Sequence, residues 1–518
     1  MPSSFTGLRR KLIAVAVPGL MFVTLACSGS STNSTARDDS GEPQRGGAAT
    51  IAVIDPIDTW NPQLALVQSS YQVYPQVYAS LLRTPADGTT VQPGLAATHA
   101  YDPAAKTLTF TLDPAAKFSD GTPVTSADVK FSFGVWRAGE LFGSYFESVR
   151  DVTTPDPHTV VFEMSEPDVT LVDILATSNA AIFPNNFGGR TADEYWKRPI
   201  AAGPFKIDDE IPGQSISLSR NPFYYRAELP RLDKLDYKVV ADQNQQLLQF
   251  QSGAIDIVNE VDPAQIAQYP AGSTVSSPSS GTSVLMAQTK AAPLDNADLR
   301  RAITLAIKHD ELIAGGYAGE AEQAKTLLPQ AVPGIQPCPG CDWSKHDLDL
   351  AKKLVEKSGY RGEKLEVIVP SSSASEVLAA QALEPMLAEA GIKISVNALP
   401  TSTVIDRLEK ADYQLGLLTA SANAPSPLDP LGLIASTNFL YTQFDTASAD
   451  TAIEALRQAE NDEQVSAATE AFEKQAFGSV AAVPLAQPNV VYAVSKDLHG
   501  FAPAPYRLYP ADEFWVSQ

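Results

Sequence analysis

Lys117-Phe-Ser-Asp-Gly-Thr-Pro-Val-Thr-Ser-Ala-Asp-Val-Lys-Phe-Ser-Phe133 is the stretch that decides the fold. Just upstream, Thr107 to Leu112 alternates threonine with Leu108, Phe110 and Leu112, the period of a strand with one buried face. Asp120-Gly121 predicts a turn, because glycine tolerates positive φ. Thr125, with Asp128 three positions on, predicts a capped helix start ahead of the apolar residues Val129, Phe131 and Phe133. Strand, turn and capped helix together form a unit of an α/β protein.

Outward from it, the first residues place the chain outside the cytoplasm. Arg9, Arg10 and Lys11 precede an apolar run from Leu12 to Ala26 that ends at Cys27. This is the pattern of a signal peptide over residues 1–26. The run is shorter than the roughly 20 residues a spanning helix needs, and Pro18-Gly19 interrupts it. Thr24-Leu25-Ala26-Cys27 resembles a lipobox, with Thr24 in place of the usual leucine. It implies lipidation (palmitate) of Cys27 and a membrane anchor; the alternative is ordinary secretion with a free Cys27. Residues 27–47 are rich in Ser, Thr, Gly and Asp, the composition of a flexible tether.

The chain carries 38 basic and 60 acidic residues, a net charge of −22. Loss of residues 1–26 removes three basic and no acidic residues and takes this to −25. So acidic a surface repels phosphate, and nucleic acid is excluded as a partner. The length suffices for more than one core. Cys338 and Cys341, a pair in an exported chain, are expected to form a disulfide; redox-active and zinc-binding pairs are the alternatives.

No His-Glu-x-x-His, Gly-x-Ser-x-Gly, phosphate-cradling loop or EF-hand loop occurs, and the five histidines are scattered. An enzyme, a cofactor and a metal site are therefore not expected. His309 is assigned a surface role at a helix end, and paired carboxylates such as Asp208-Asp209 a solvated face.

The 117–133 wording resembles the signature of the family 5 extracellular solute-binding proteins, the peptide, nickel and oligosaccharide receptors of ABC importers. Further blocks follow in the family's order: Trp60-Asn61-Pro62, Val91-Gln-Pro-Gly-Leu-Ala96, Ala202-Gly-Pro-Phe-Lys206, Val284 to Lys290 and Leu294 to Ile303. The resemblance implies an α/β, two-lobe periplasmic-binding-protein-like fold (class II, cluster C) with an extra α+β domain inserted in the first lobe. Its boundaries are expected at 48–84, 201–283 and 481–518 for the discontinuous lobe I, 85–200 for the insert, and 284–480 for lobe II. It also implies an ABC permease and its ATPase subunits as partners, a monomer, and an extracytoplasmic, lipid-anchored location at the cell membrane.

In peptide-binding relatives the segment matching Thr419 to Pro427 pairs its backbone with the ligand, and an aspartate holds the ligand's ammonium. Aligned from Asp412-Tyr413, Ala420 replaces the family's tryptophan and Asn423 the aspartate; a gapped match to Asp429-Pro430 puts Ser426 there instead. A charge-assisted hydrogen bond of about 1.5 to 3 kcal/mol is thereby weakened or lost. The expected cleft residues are Trp60, Asn61, Gln288, Ala420, Ser421, Ala422 and Asn423, with Tyr71 and Tyr74 as weaker candidates. The function expected is capture of an oligopeptide or peptide-like solute. The alternatives are a non-peptide cargo (oligosaccharide, opine, siderophore or haem) and a non-transporting cell-envelope sensor.

Overall fold

The computed structural model describes residues 41–84, 91–422, 424–436, 441–444, 447–459, 461–503, 506, 509 and 511–517. Residues 1–26, expected to be a signal peptide, Cys27 and Asn423 lie outside them.

Around the signature, local chemistry sets the structure. The strand Thr107–Leu112 buries Leu108, Phe110 and Leu112. Gly121 turns the chain at φ +88°, and the Asp120 carboxylate accepts from the Thr122 amide at 2.9 Å. Thr125 caps the helix Ser126–Arg137, with Asp128 Oδ2 accepting from the Thr125 amide at 2.7 Å. The capping box read from the sequence is present, and it is worth about 1 kcal/mol.

This unit belongs to a four-stranded antiparallel sheet ordered Ala96–Asp102, Thr107–Leu112, Thr159–Met164, Val149–Asp156. The helix covers it, and Phe133 meets Trp136, Phe146 and Phe162 edge to face. Burying side chains of this size contributes about 1.5 to 3 kcal/mol each.

The largest sheet among the described residues has twelve strands joined through one element. In its first part Ala48–Val53 runs parallel to Lys234–Val239 and to Ile257–Val258, and Ser215–Arg220 and Phe205–Ile211 follow antiparallel. In its second part Leu365–Pro370 lies parallel between Ile394–Leu399 and Leu415–Ser421, and Gly281–Ala287 pairs antiparallel with the latter. The strand Ala482–Val494 belongs to both parts. It pairs with Gly281–Ala287 from Ala482 to Ala486 and with Thr274–Pro278 from Asn489 to Ala493. The crossing expected at 480/481 is thus spread along this strand, whose first half serves the second part of the sheet. The body also begins before residue 48: the Gly46 amide donates to Arg231 O at 2.9 Å.

Two helices, Ala447–Arg457 and Asp462–Ser479, follow in the second part, the latter capped by Asn461. One expectation changes. His309 is not at the surface: it is 5% exposed, with Nδ1 3.2 Å from Leu485 O. Burial pushes its pKa down, so the ring stays neutral and packs where a charged side chain could not.

Candidate functional site: a cleft between the two parts of the sheet

A cavity of ≈ 360 Å³ opens where the parallel strands end. Asp55 follows Ala48–Val53, Glu260 follows Ile257–Val258, Pro370 closes Leu365–Pro370, Thr401 follows Ile394–Leu399 and Ser421 closes Leu415–Ser421, and all five line it. Ligand sites of α/β sheets form at such carboxyl ends because the loops that follow leave a crevice there. The floor is Pro488 to Val491, the middle of the strand shared by the two parts.

The walls are acidic and aromatic. Glu376, in the first turn of the helix Ala374–Glu389, accepts from Thr419 Oγ1 at 2.6 Å. Asp429, in the first turn of Leu428–Ser436, is held by Tyr145 of the four-stranded sheet's domain. The Tyr145 hydroxyl donates to Asp429 O at 3.1 Å and to its Oδ1 at 3.2 Å. Burial first, then the Asp429 charge, pushes the Tyr145 pKa up and keeps the hydroxyl a donor. Glu320 accepts from Ser276 Oγ at 2.7 Å and Asn489 Nδ2 at 3.1 Å. Asp55 has its pKa raised by burial and, second, by the Glu260 charge. Tyr71, Tyr317 and Tyr441 complete the lining, Tyr441 with its pKa pushed up to about 12 by burial.

Of the residues expected from sequence, Ala420, Ser421 and Tyr71 line this cavity. Ala422 does not: it is buried behind the wall, its amide donating to Ser280 O and its carbonyl accepting from Ser280 Oγ. Trp60 is turned away, because its indole N–H needs a partner and finds Glu210 Oε2 at 2.7 Å. Asn61 Oδ1 accepts from the Gln63 amide at 3.1 Å and stabilises a turn. Gln288 fastens the end of its strand, accepting from the Lys290 amide at 2.8 Å. Tyr74 is fully buried with its hydroxyl donating to Thr59 O. Ser426 caps Leu428–Ser436, its hydroxyl accepting from the Leu428 amide at 3.3 Å. A disulfide joins Cys338 and Cys341, with the Cα atoms 5.4 Å apart. Among the described residues no group of three or more metal-ligating side chains assembles, and no helix is long and apolar enough to cross a membrane.

Sequence reasoning missed Asp55, Tyr145, Glu260, Glu320, Glu376, Tyr317 and Tyr441 as cleft residues. It used Asp429-Pro430 only as an alignment anchor, and that pairing was the one available signal for Asp429.

The model of bacterial extracellular solute-binding proteins, family 5 Middle, matches residues 90–440. A probable D,D-dipeptide-binding periplasmic protein of Escherichia coli K12 is 26% identical over 465 residues, 86% of this chain and 89% of that protein. The oligopeptide-binding protein AppA of Bacillus subtilis is 22% identical over 550 residues, 98% of this chain and 100% of its own. Its structure with a nonapeptide superposes with a TM-score of 0.83 at 20% identity, covering 92% and 100% of the two chains. The A. tumefaciens R10 binding protein AgaA in complex with agropinic acid gives 0.79 at 24% identity, covering 91% and 99%. The two-lobe fold is shared with these binding proteins.

Proposed function

Because the chain belongs to the family 5 bacterial extracellular solute-binding proteins, we propose that it is the receptor of an ABC importer, capturing an oligopeptide or peptide-like solute and presenting it to a membrane permease. Ligand that touches both lobes favours the closed state through contacts absent from the open one, and the permease reads that state. A lipid on Cys27 would hold the receptor, as a monomer, at the outer face of the membrane.

One observation carries the peptide reading. Pairing of Leu415–Ser421 with Leu365–Pro370 ends at Ile368 and Gly416, whereas pairing with Gly281–Ala287 continues to Ser421. Leu418 to Ser421 therefore has a partner strand on one side only, and these four residues line the cavity. An extended peptide can add to such an edge through main-chain hydrogen bonds.

A non-peptide cargo is the second reading, supported by the absence of a carboxylate at the two positions aligned with the ammonium-holding aspartate, 423 and 426. Thermal unfolding of the purified protein with peptide mixtures, opines, sugars, siderophores and haem separates the two, since a ligand of the native state raises Tm. A rise with peptides is expected; a rise with another class alone transfers the receptor to that cargo.

A further inference from the structure

The charge of the cleft is one-sided. Asp55, Glu260, Glu320, Glu376 and Asp429 line it, and no lysine, arginine or histidine does among the described residues. The chain as a whole has 38 basic residues to 60 acidic, so five against none is not the average composition repeated. It is a property of this cavity.

Four of the carboxylates are tied to neighbours. Glu260 has a partner of its own, and Glu320, Glu376 and Asp429 accept hydrogen bonds from Asn489, Thr419 and Tyr145. Asp55 is different: among the described residues no hydrogen bond or ion pair holds its carboxylate, and it is half-buried within range of the Glu260 charge. Two like charges beside a cleft repel each other while the cleft is empty, and a cation between them relieves the repulsion.

The second wall component points the same way independently. Tyr441, half-buried, brings an aromatic ring to the same cavity, with Tyr71, Tyr145 and Tyr317 buried in the wall around it, and ring faces attract ammonium and guanidinium groups. A carboxylate, by contrast, would leave water to face five acids and no base, with the desolvation of a charged group uncompensated.

We infer that the solute taken into this cleft is cationic, presenting an amine, guanidine or quaternary ammonium to Asp55 and Glu260 and leaving no free carboxylate inside the cavity. This rests on the reading of the cleft as a solute site. For a peptide it means basic side chains with the C-terminus blocked, cyclised or held out in solvent. For a non-peptide it means a polyamine-like or basic solute.

The test uses three mixtures of acetylated tetrapeptide amides, equal in length and differing in charge: lysine- and arginine-containing, neutral, and aspartate- and glutamate-containing. Each is titrated against the purified protein and against its Asp55→Asn/Glu260→Gln double variant, whose ligand-free unfolding reports that it is folded. The basic mixture is expected to bind about tenfold or more tighter than the neutral one, the factor a single added charge interaction supplies, and to lose that preference in the variant. Equal or tighter binding of the neutral or acidic mixture overturns the charge rule while leaving the receptor intact.

If no mixture binds, a ligand-independent probe decides the charge rule. A Ser421→Cys thiol is reacted with a trimethylammonium and with a sulfonate methanethiosulfonate. A rate ratio above that of an exposed control cysteine, falling in the double variant, supports the inference; a ratio at or below the control overturns it.

Discussion

Arg457 Nε lies 3.6 Å from Asp168 Oδ2, joining the helix Ala447–Arg457 to the chain that leaves the four-stranded sheet after Thr159–Met164. The side chains are 10% and 0% exposed. Arg457 also donates from Nη2 to Ser144 O at 2.7 Å and stands 3.8 Å from Glu147. Both charges were taken out of water to meet, so deleting the guanidinium leaves Asp168 without its counter-charge, held among the described residues only by the neutral donors of Ser148 and Thr170, at a cost of about 3 to 5 kcal/mol. Two lobes can avoid that cost by opening. Arg457→Gln is therefore expected to shift the ligand-free protein toward an open form, read as a larger radius of gyration in X-ray scattering. An unchanged radius would mean that the pair does not hold the lobes together.

Tyr145 and Gly432 form a second contact across the same boundary. A methyl on Gly432 would collide with the Tyr145 ring, and the Tyr145 hydroxyl holds Asp429. Gly432→Ala is expected to open the molecule without unfolding either lobe. Tyr145→Phe, which removes one donor from Asp429, is expected to cost about 1 kcal/mol. Scattering and urea unfolding check the two in turn.

Glu473 sets an expected pH dependence. It is fully buried, accepts from the Leu327 and Leu328 amides at 3.0 and 2.8 Å, and has its pKa pushed up by burial to about 7. The native state then holds a proton that the unfolded chain, with the ordinary glutamate value of 4.5, has released. The contribution of Glu473 is fully present below about pH 4.5 and falls as pH rises toward 7, by a few kcal/mol at most. Asp173, also pushed up to about 7, adds a slope of the same sign. Stability measured across this window should decline less steeply in Glu473→Gln than in the parent protein; parallel curves would contradict the assignment.

Closing a loop of four residues, the Cys338–Cys341 disulfide restrains little of the unfolded chain. Cys338→Ser/Cys341→Ser is expected to cost about 2 kcal/mol and to leave ligand binding unchanged. Calorimetry with and without reductant checks this.

How much was legible follows from distance along the chain. The turn at Gly121, the Thr125 cap and the alternating strand before them are decided within a few residues, and the sequence displays them openly. The cleft is assembled from remote parts: Tyr145 reaches Asp429 across 284 residues, and Glu320 meets Asn489 across 169. No local periodicity marks such pairs. Trp60 and Gln288 misled for another reason: a family match carries a position, not the direction its side chain takes, and Trp60 turns to Glu210, 150 residues on, while Gln288 turns back to the Lys290 amide. His309 misled because a polar residue at a helix start is ordinarily solvated, whereas this one packs under the strand that carries Leu485.

The central claim, that a solute occupies the cavity between the lobes, is met most directly by thermal unfolding of the protein and its Ser375→Trp variant with the basic peptide mixture. Ser375 lines the cavity, and an indole there fills the space of a ligand. A rise in Tm for the parent protein and none for the variant is the expected result. An equal rise in both would place the ligand elsewhere and contradict the claim.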